Sequence, residues 1–226
     1  MNYKMIIFDA DDTLFDFSKT EEFAFHKAMK ESEIPFKDEY LKIYKEINIA
    51  IWQEFEKGLI TQKELKIDRV QRFFKAINVQ RDAYSFSESF LTHLAQGSFL
   101  FDGVKELIQD LAKTHRLVLV TNGLKRVQNI RIVKSVIASY FEKIIISDEI
   151  GYAKPNPMIF IKGLEDIELP AKDKILMIGD GLGSDILGGI NFGIDTLWYN
   201  PLELPNTKDI NPTYEISSLK EIHNYK

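Results

Sequence analysis

The strongest constraint on the fold is a regular alternation of short apolar runs and helical patterns downstream of Gly97. Between the apolar runs, hydrophobic residues recur at helical spacing and predict helices, one marked by Val127, Ile130 and Val133 to Ile137 and others within 158–164 and 184–192. Strands that alternate with helices of this length predict right-handed βαβ units and a parallel sheet. We expect the strands at 116–120, 143–146, 174–178 and 196–199, joined by the early apolar run 5–8.

The segment from about Ser18 to Gln96 has a different, almost wholly helical pattern. One helix is indicated by apolar residues at helical spacing, namely Tyr40, Tyr44, Ile47, Ile51 and Phe55, and Gly58 is well placed to end it. Two capping boxes, Thr61 with Glu64 and Ser85 with Glu88, predict the starts of two more helices. The segment therefore predicts a compact helical bundle.

Together these patterns predict an α/β fold in which a Rossmann-like parallel-sheet core is interrupted after its first strand by an inserted helical-bundle cap. We assign residues 1–17 and 97–226 to the core and residues 18–96 to the cap. The glycines at 181, 183, 188 and 189 match only the opening of a dinucleotide-binding loop, so we expect them to let a helix pack closely. Residues 214–216 predict an edge strand.

Composition excludes several classes of function. The chain has 226 residues and no cysteine, which excludes thiolate chemistry. Its net charge of −5 does not favour binding to a nucleic acid polymer. It has no run of 18 apolar residues, and the apolar stretch at the N-terminus is too short for a secretory signal. We therefore expect a cytoplasmic protein that binds neither nucleic acid nor membranes.

Polar residues follow the predicted strands at the points where the strands end. These residues are Asp9 and Asp11 after the first, Thr121, Asn122 and Gly123 after the second, Lys154 in the loop after the third, and Asp180 after the next. In an open parallel sheet, ligands bind outside the carboxyl ends of the strands. Each motif alone is an ordinary turn, but their shared edge predicts one site.

The residue types at this edge suit phosphate chemistry. Asp9 and Asp180 can supply the oxygen ligands that Mg²⁺ prefers. A carboxylate that attacks phosphorus forms an aspartyl-phosphate, and a second carboxyl, Asp11, can protonate the leaving group and then activate water. Thr121 can hold phosphoryl oxygens, while Lys154 can balance charge in the transition state and lower the pKa of Asp9.

In this order the motifs resemble those of the haloacid dehalogenase superfamily with a helical cap of the C1 class. The resemblance covers essentially the whole chain. It implies that Asp9 is the nucleophile and a metal ligand, that Asp11 is the acid and base with its carbonyl on the metal, and that Asp180 is a metal ligand. It also implies that phosphate is bound by Thr121, Asn122, Gly123 and Lys154, and that Asp185 orients Lys154 or metal-bound water.

Within that superfamily, an acid at Asp11 favours a phosphatase or a phosphomutase over a dehalogenase. Asp12 stands where many relatives have glycine, which leaves the chemistry intact but affects the geometry of the loop. Three segments, 8–17, 52–58 and 191–201, further resemble the YjjG-type pyrimidine 5′-nucleotidases, which implies a nucleoside monophosphate as substrate.

The aromatic residues in and around the cap have two interpretations. Spacing favours core packing for Trp52, Phe55 and Trp198, and the alternative is a surface on which a base stacks. The phenylalanines near the predicted hinge share both interpretations, namely Phe15, Phe17, Phe23 and Phe25.

Two other functions stay open. One is a sugar-phosphate phosphatase or phosphomutase of the same superfamily. The other is a non-enzymatic module that accepts or binds phosphate, since receiver domains also gather acids, a threonine and a lysine at strand ends. The expected partner is a small phosphorylated metabolite, and the expected assembly is a monomer or a homodimer.

Overall fold

A computed structural model describes residues 3–207 and 209–225. The chain divides into two compact units, one of Met1–Phe17 with Ser98–Lys226 and the other of Ser18–Gly97. None of the helices in the described ranges is both long and apolar enough to cross a membrane.

The described residues of the first unit form a sheet of six parallel strands, and the predicted α/β class is confirmed. The strands are β1 Met5–Phe8, β2 Arg116–Thr121, β3 Lys143–Ile146, β4 Ile175–Gly179, β5 Asp195–Tyr199 and β6 Tyr214–Ile216. Their spatial order is β3-β2-β1-β4-β5-β6, which places β1 between β2 and β4 and β6 at the edge. The predicted runs are all strands, with bounds shifted by at most one residue.

Both faces of the sheet are covered. Successive residues of β1 enter different hydrophobic clusters, with Ile6 and Phe8 in one and Met5 and Ile7 in the other. A strand that is apolar at every position is typical of a parallel sheet with helices on both sides. The helical segments of this unit are α5 Val104–Leu111, α6 Lys125–Arg131, a 3₁₀ turn Ala138–Tyr140, α7 Ser147–Ile150, α8 Met158–Gly163, a 3₁₀ turn Lys172–Lys174, a π-turn Leu182–Ile186, α9 Leu187–Phe192 and a 3₁₀ helix Leu219–Asn224.

The second unit is helical in its described part. Its helices are α1 Phe17–Glu31, which begins one residue before the unit, α2 Asp38–Glu56, α3 Gln62–Ala76 and α4 Ala83–Leu94. The capping box of Thr61 and Glu64 is confirmed at the start of α3. The predicted box of Ser85 and Glu88 is wrong, because Asp82 accepts hydrogen bonds from the amides of Tyr84 and Ser85 and caps α4 three residues earlier.

Aromatic rings fill the interior of the helical unit. Phe25 lies against Tyr44, Phe73 and Phe86, with ring centroids 4.8, 5.3 and 6.2 Å away. All four residues have no exposed surface, so core packing is the correct interpretation for Phe25. Edge-to-face and tilted pairs of this kind contribute beyond the apolar area they bury.

Helix α6 differs from the prediction in its length and in which of its faces is buried. The helix expected to continue through residue 137 ends at Arg131, and the residues that follow form turns. Its burial also departs from its hydrophobic pattern: Ile130 and Val133 are 43% and 44% exposed, whereas Gln128 and Arg131 are 2% and 1% exposed. A pair of polar residues therefore occupies the buried side of α6.

Gly189 lets α9 lie directly on the sheet. A Cβ atom at this position would lie 2.5 Å from Cγ2 of Thr196 on β5 and 3.1 Å from Cβ of Met177 on β4. We expect Gly189→Ala to lower the free energy of unfolding by roughly 1–3 kcal/mol, because the added methyl overpacks a buried contact. Chemical denaturation measures this change.

Gly188→Ala is the matched control. The same atom added at Gly188 would meet Phe160 and Pro155 at 3.4 Å, an ordinary contact. Alanine also favours helix over glycine by about 1 kcal/mol, so this variant should be neutral or more stable. Equal losses of stability in the two variants would contradict the packing explanation.

Candidate active site

The site lies where β1, β2 and β4 end side by side. Phe8 pairs in register with Leu119 on one side and Ile178 on the other, so the loops that follow these strands emerge together. The structure brings Lys154 and three carboxylates, those of Asp9, Asp180 and Asp185, to this edge.

Lys154 is the buried centre of the site. Its ammonium group donates to Oδ1 of Asp9 at 2.5 Å and to the carbonyl of Val120 at 2.7 Å, and it forms an ion pair with Oδ1 of Asp185 at 2.7 Å. These three acceptors match the three hydrogens of the ammonium group. Burial lowers the pKa of Lys154, but attraction to Asp185 and Asp9 outweighs that effect and raises it, so the side chain stays charged.

The three carboxylates form a group that could hold a cation. Asp9, Asp180 and Asp185 each present an oxygen within 4.8 Å of the others. Burial and repulsion from Asp185 raise the pKa of Asp9, so the opposing effect of Lys154, which the sequence led us to expect, is outweighed. Burial, then repulsion from Asp185, Asp9 and Asp12, raises the pKa of Asp180 as well.

Asp11 points toward α6. Gln128 Nε2 donates to Oδ2 of Asp11 at 3.1 Å and to Oγ1 of Thr121 at 3.0 Å. Oδ1 of Asp11 forms an ion pair with the guanidinium group of Arg131. Burial lowers the pKa of Arg131 to about 10, which still leaves it charged at neutral pH.

The other predicted phosphate ligands also have contacts that position them. The side chain of Asn122 donates to the carbonyl of Lys154 at 2.8 Å and accepts from its amide at 2.7 Å, so it fixes the lysine loop from both sides. A Cβ atom on Gly123 would lie 2.4 Å from Nε2 of Gln128. Gly123 therefore leaves the space through which Gln128 reaches Asp11 and Thr121.

Two residues outside the predicted site fix Asp180. Thr13 Oγ1 donates to Oδ1 of Asp180 at 3.2 Å and accepts from its amide at 3.1 Å. The indole of Trp198, 5% exposed, donates to the carbonyl of Asp180 at 2.8 Å. Trp198 is therefore a packed residue that supports the site and does not offer a stacking surface.

Asp12 adopts φ +60°, in the left-handed region that favours glycine. Aspartate is one of the few other residues that tolerate this conformation. Aspartate at this position therefore tolerates the backbone conformation of the turn.

Sequence reasoning also missed Gln128 and Arg131. Their spacing of three places both side chains on one face of α6, but Val127 and Ile130 suggested that an apolar face would be buried. A pair of polar residues at helical spacing directly after Thr121-Asn122-Gly123 was the available signal.

Comparison with known proteins identifies the family. The sequence model of the family described as haloacid dehalogenase-like hydrolases matches residues 3–193 of this chain. The chain belongs to the haloacid dehalogenase-like hydrolase family. It is 34% identical to the pyrimidine 5′-nucleotidase PynA of Streptococcus pneumoniae over 98% of this chain and 94% of that protein. It is 32% identical to the pyrimidine 5′-nucleotidase YjjG of Escherichia coli over 98% and 97%.

The fold of this haloacid dehalogenase-like hydrolase also has a similar solved structure. The crystal structure of the hydrolase YfnB of Bacillus subtilis, bound to magnesium, superposes with a TM-score of 0.94 at 33% identity, covering 100% of this chain and 99% of that one. The predicted resemblance to the superfamily and to YjjG-type relatives is thus confirmed.

The crowded carboxylates should make stability depend on pH in the presence of EDTA, which keeps divalent cations from the site. Because the pKa of Asp180 is raised in the folded state, protonation of its carboxyl favours folding. This contribution to the free energy of unfolding is complete below the usual carboxyl pKa of about 4 and is lost as the pH rises. We expect Asp180→Asn to raise the free energy of unfolding at pH 8 on the order of 1 kcal/mol, with a smaller gain at pH 4. Thermal denaturation across this range measures the difference.

Asp166→Asn is the control of opposite sign. A hydrogen bond from Lys143 lowers the pKa of this exposed carboxylate, so its contribution is present at neutral pH and is lost on acidification. Removal of its charge should not stabilise the protein at pH 8. A gain in both variants would contradict repulsion within the site as the cause.

Proposed function

We propose that this family member is a Mg²⁺-dependent phosphomonoesterase that acts through an aspartyl-phosphate on Asp9, with pyrimidine nucleoside 5′-monophosphates as its substrates. The observation that carries the proposal is the buried contact of Lys154 with Asp9 and Asp185 beside Asp180, at the edge where parallel sheets bind ligands. The substrate class rests on the similarity to the pyrimidine 5′-nucleotidases PynA and YjjG, which align over nearly the full chain.

The residues present fit a magnesium ion. Three carboxylates and one ammonium group leave an excess of two negative charges when all are ionised, which a divalent cation would balance. Carboxylate oxygens are the ligands that Mg²⁺ prefers. Asp9, Asp180 and the backbone carbonyl of Asp11 would hold the ion, and Asp185 would support Lys154. When bound, the ion supplies charge that shields the phosphoryl oxygens from the attacking carboxylate.

The chemistry proceeds in two displacements. A carboxylate oxygen of Asp9 forms a bond to phosphorus while the bond from phosphorus to the leaving oxygen breaks, and Asp11 gives that oxygen its proton. Asp11 then takes a proton from water, whose oxygen attacks phosphorus and releases inorganic phosphate and free Asp9. Lys154 stays protonated and, with Thr121, stabilises negative charge on the phosphoryl group.

Removal of the nucleophile tests the reaction. We expect Asp9→Asn to lower kcat for a generic phosphomonoester such as p-nitrophenyl phosphate by on the order of 10⁴-fold or more, because no covalent intermediate can form. EDTA should abolish turnover by the unaltered protein, and added Mg²⁺ should restore it. Phosphate release measures both effects.

Asp173→Asn is the matched control, since this exposed carboxylate precedes the opposite end of β4 and its removal changes the net charge equally. Its activity should equal that of the unaltered protein. Turnover that survives Asp9→Asn would contradict Asp9 as the nucleophile. The absence of Mg²⁺-dependent turnover would favour the non-enzymatic phosphate-accepting module instead.

A substrate panel tests the choice of leaving group. We expect kcat/KM for UMP, dUMP and CMP to exceed that for hexose and triose phosphates by about tenfold or more, a difference of ~1.4 kcal/mol in transition-state binding. Faster turnover of the sugar phosphates would support the sugar-phosphate phosphatase. Isomerisation of a sugar phosphate without release of phosphate would support the phosphomutase.

Several features of this proposal stay predictions. In the helical unit, Trp52 and Phe55 are partly buried, with ring centroids 5.6 Å apart, an arrangement compatible with packing or with a stacking surface. The assignment of the helical segment as a substrate-selecting cap is a further prediction, as are the cytoplasmic location and the monomeric or homodimeric state.

A further inference from the structure

The buried polar side of α6 calls for a physical explanation. Arg131 has the largest of the fully buried side chains among the described residues, while Ile130 next to it is exposed. Burial removes an arginine from water at a large cost in hydration, and an ion pair offsets this cost only with good geometry. Packing alone would place the isoleucine inside and the arginine outside.

The side chain of Arg131 contacts residues that follow β1. Its guanidinium group lies over the rings of Phe15 and Phe17, 5.4 and 5.8 Å from their centroids, and pairs with Asp11. Its carbonyl accepts a hydrogen bond from Ser98 Oγ at 2.7 Å, which fixes the end of α6. The side chain is thus directed toward Asp11 from a fixed backbone.

Gln128 holds the other carboxylate oxygen of Asp11. Its amide nitrogen has two hydrogens, and it lies 3.1 Å from Oδ2 of Asp11 and 3.0 Å from Oγ1 of Thr121. The absence of a side chain at Gly123 makes this approach possible. One amide therefore links the proposed acid and base to a proposed phosphate ligand.

We propose that Gln128 and Arg131 are positioning residues that hold Asp11, one at each carboxylate oxygen, in the orientation needed for proton transfer to the leaving group. This inference rests on the proposed function, since it concerns the acid and base of that reaction. Neither residue exchanges a proton: Asp11 gives one to the leaving oxygen and regains one from water. A shift of about 1 Å in a reacting group can cost 10²-fold in rate, so positioning is a substantial contribution.

Two esters with different leaving groups separate this role from a general loss of structure. The 5′-hydroxyl of UMP needs a proton as it leaves, whereas p-nitrophenolate leaves without one. Since kcat/KM reports steps up to the first irreversible one, it isolates the transfer to Asp9. For Arg131→Met we expect kcat/KM to fall about 10–100-fold with UMP and less than about threefold with p-nitrophenyl phosphate. Arg131→Lys, which keeps the charge, should recover part of the loss with UMP.

The second displacement gives an independent readout. Asp11 acts as the base there for either ester, so Arg131→Met should lower kcat for both and increase the fraction of enzyme trapped as phosphoprotein after an acid quench. Gln128→Met, which keeps the size of the side chain, should show the same preference against UMP and keeps the test decisive if Arg131→Met does not fold. Arg126→Met, an exposed arginine on the same helix, is the matched control and should leave both esters unaffected.

The outcomes are distinct. A selective loss with UMP, partly restored by lysine, supports the inference. Equal losses of kcat/KM with both esters in the Met variants, or no loss of kcat/KM with either ester, would overturn it while leaving the proposed function intact. If the unaltered protein hydrolysed neither ester in a manner dependent on Mg²⁺ and Asp9, the proposed function and this inference would both be wrong.

Discussion

The geometry of the site depends on the buried ammonium group of Lys154. The ammonium group of Lys154 connects the end of β1, through Asp9, with the end of β2, through Val120, and with the segment after β4, through Asp185. A buried ion pair of this kind is weak support for stability, because the cost of removing two charges from water rivals their attraction. The contact with Lys154 is better explained by its effect on Asp9. Lys154 orients the Asp9 carboxylate but does not neutralise the excess negative charge around it.

The residues around this ion pair hold the loops and leave the reactive groups in place. Asn122 binds the backbone of Lys154 on both sides, and Thr13 and Trp198 fix Asp180 in the same way. Loops ordinarily vary and move more than the strands they follow. Here side-chain hydrogen bonds to backbone groups restrict the loops, so the carboxylates stay close together despite their repulsion.

Much of this could be predicted from local pattern and simple topology. The acids after residues 5–8 and Asp180 after β4 share an edge because parallel strands end together, and the structure places them there. Other features could not be predicted. α4 starts at Ala83 because Asp82 caps it in place of Ser85, and α6 buries Arg131, whose partner Asp11 lies on another loop. Hydrophobic spacing on a helix carries no information about such a partner.

By itself, the sequence determined the alternation of strands and helices, the parallel sheet and the edge at which acids collect, because each follows from periodicity and chain connectivity. Only the tertiary structure decided which groups meet. Lys154 reaches an acid 145 residues away, and Gln128 joins Asp11 to Thr121 through the space left by Gly123. These contacts depend on strand register and helix rotation, which a difference of one residue would change and which local patterns do not specify.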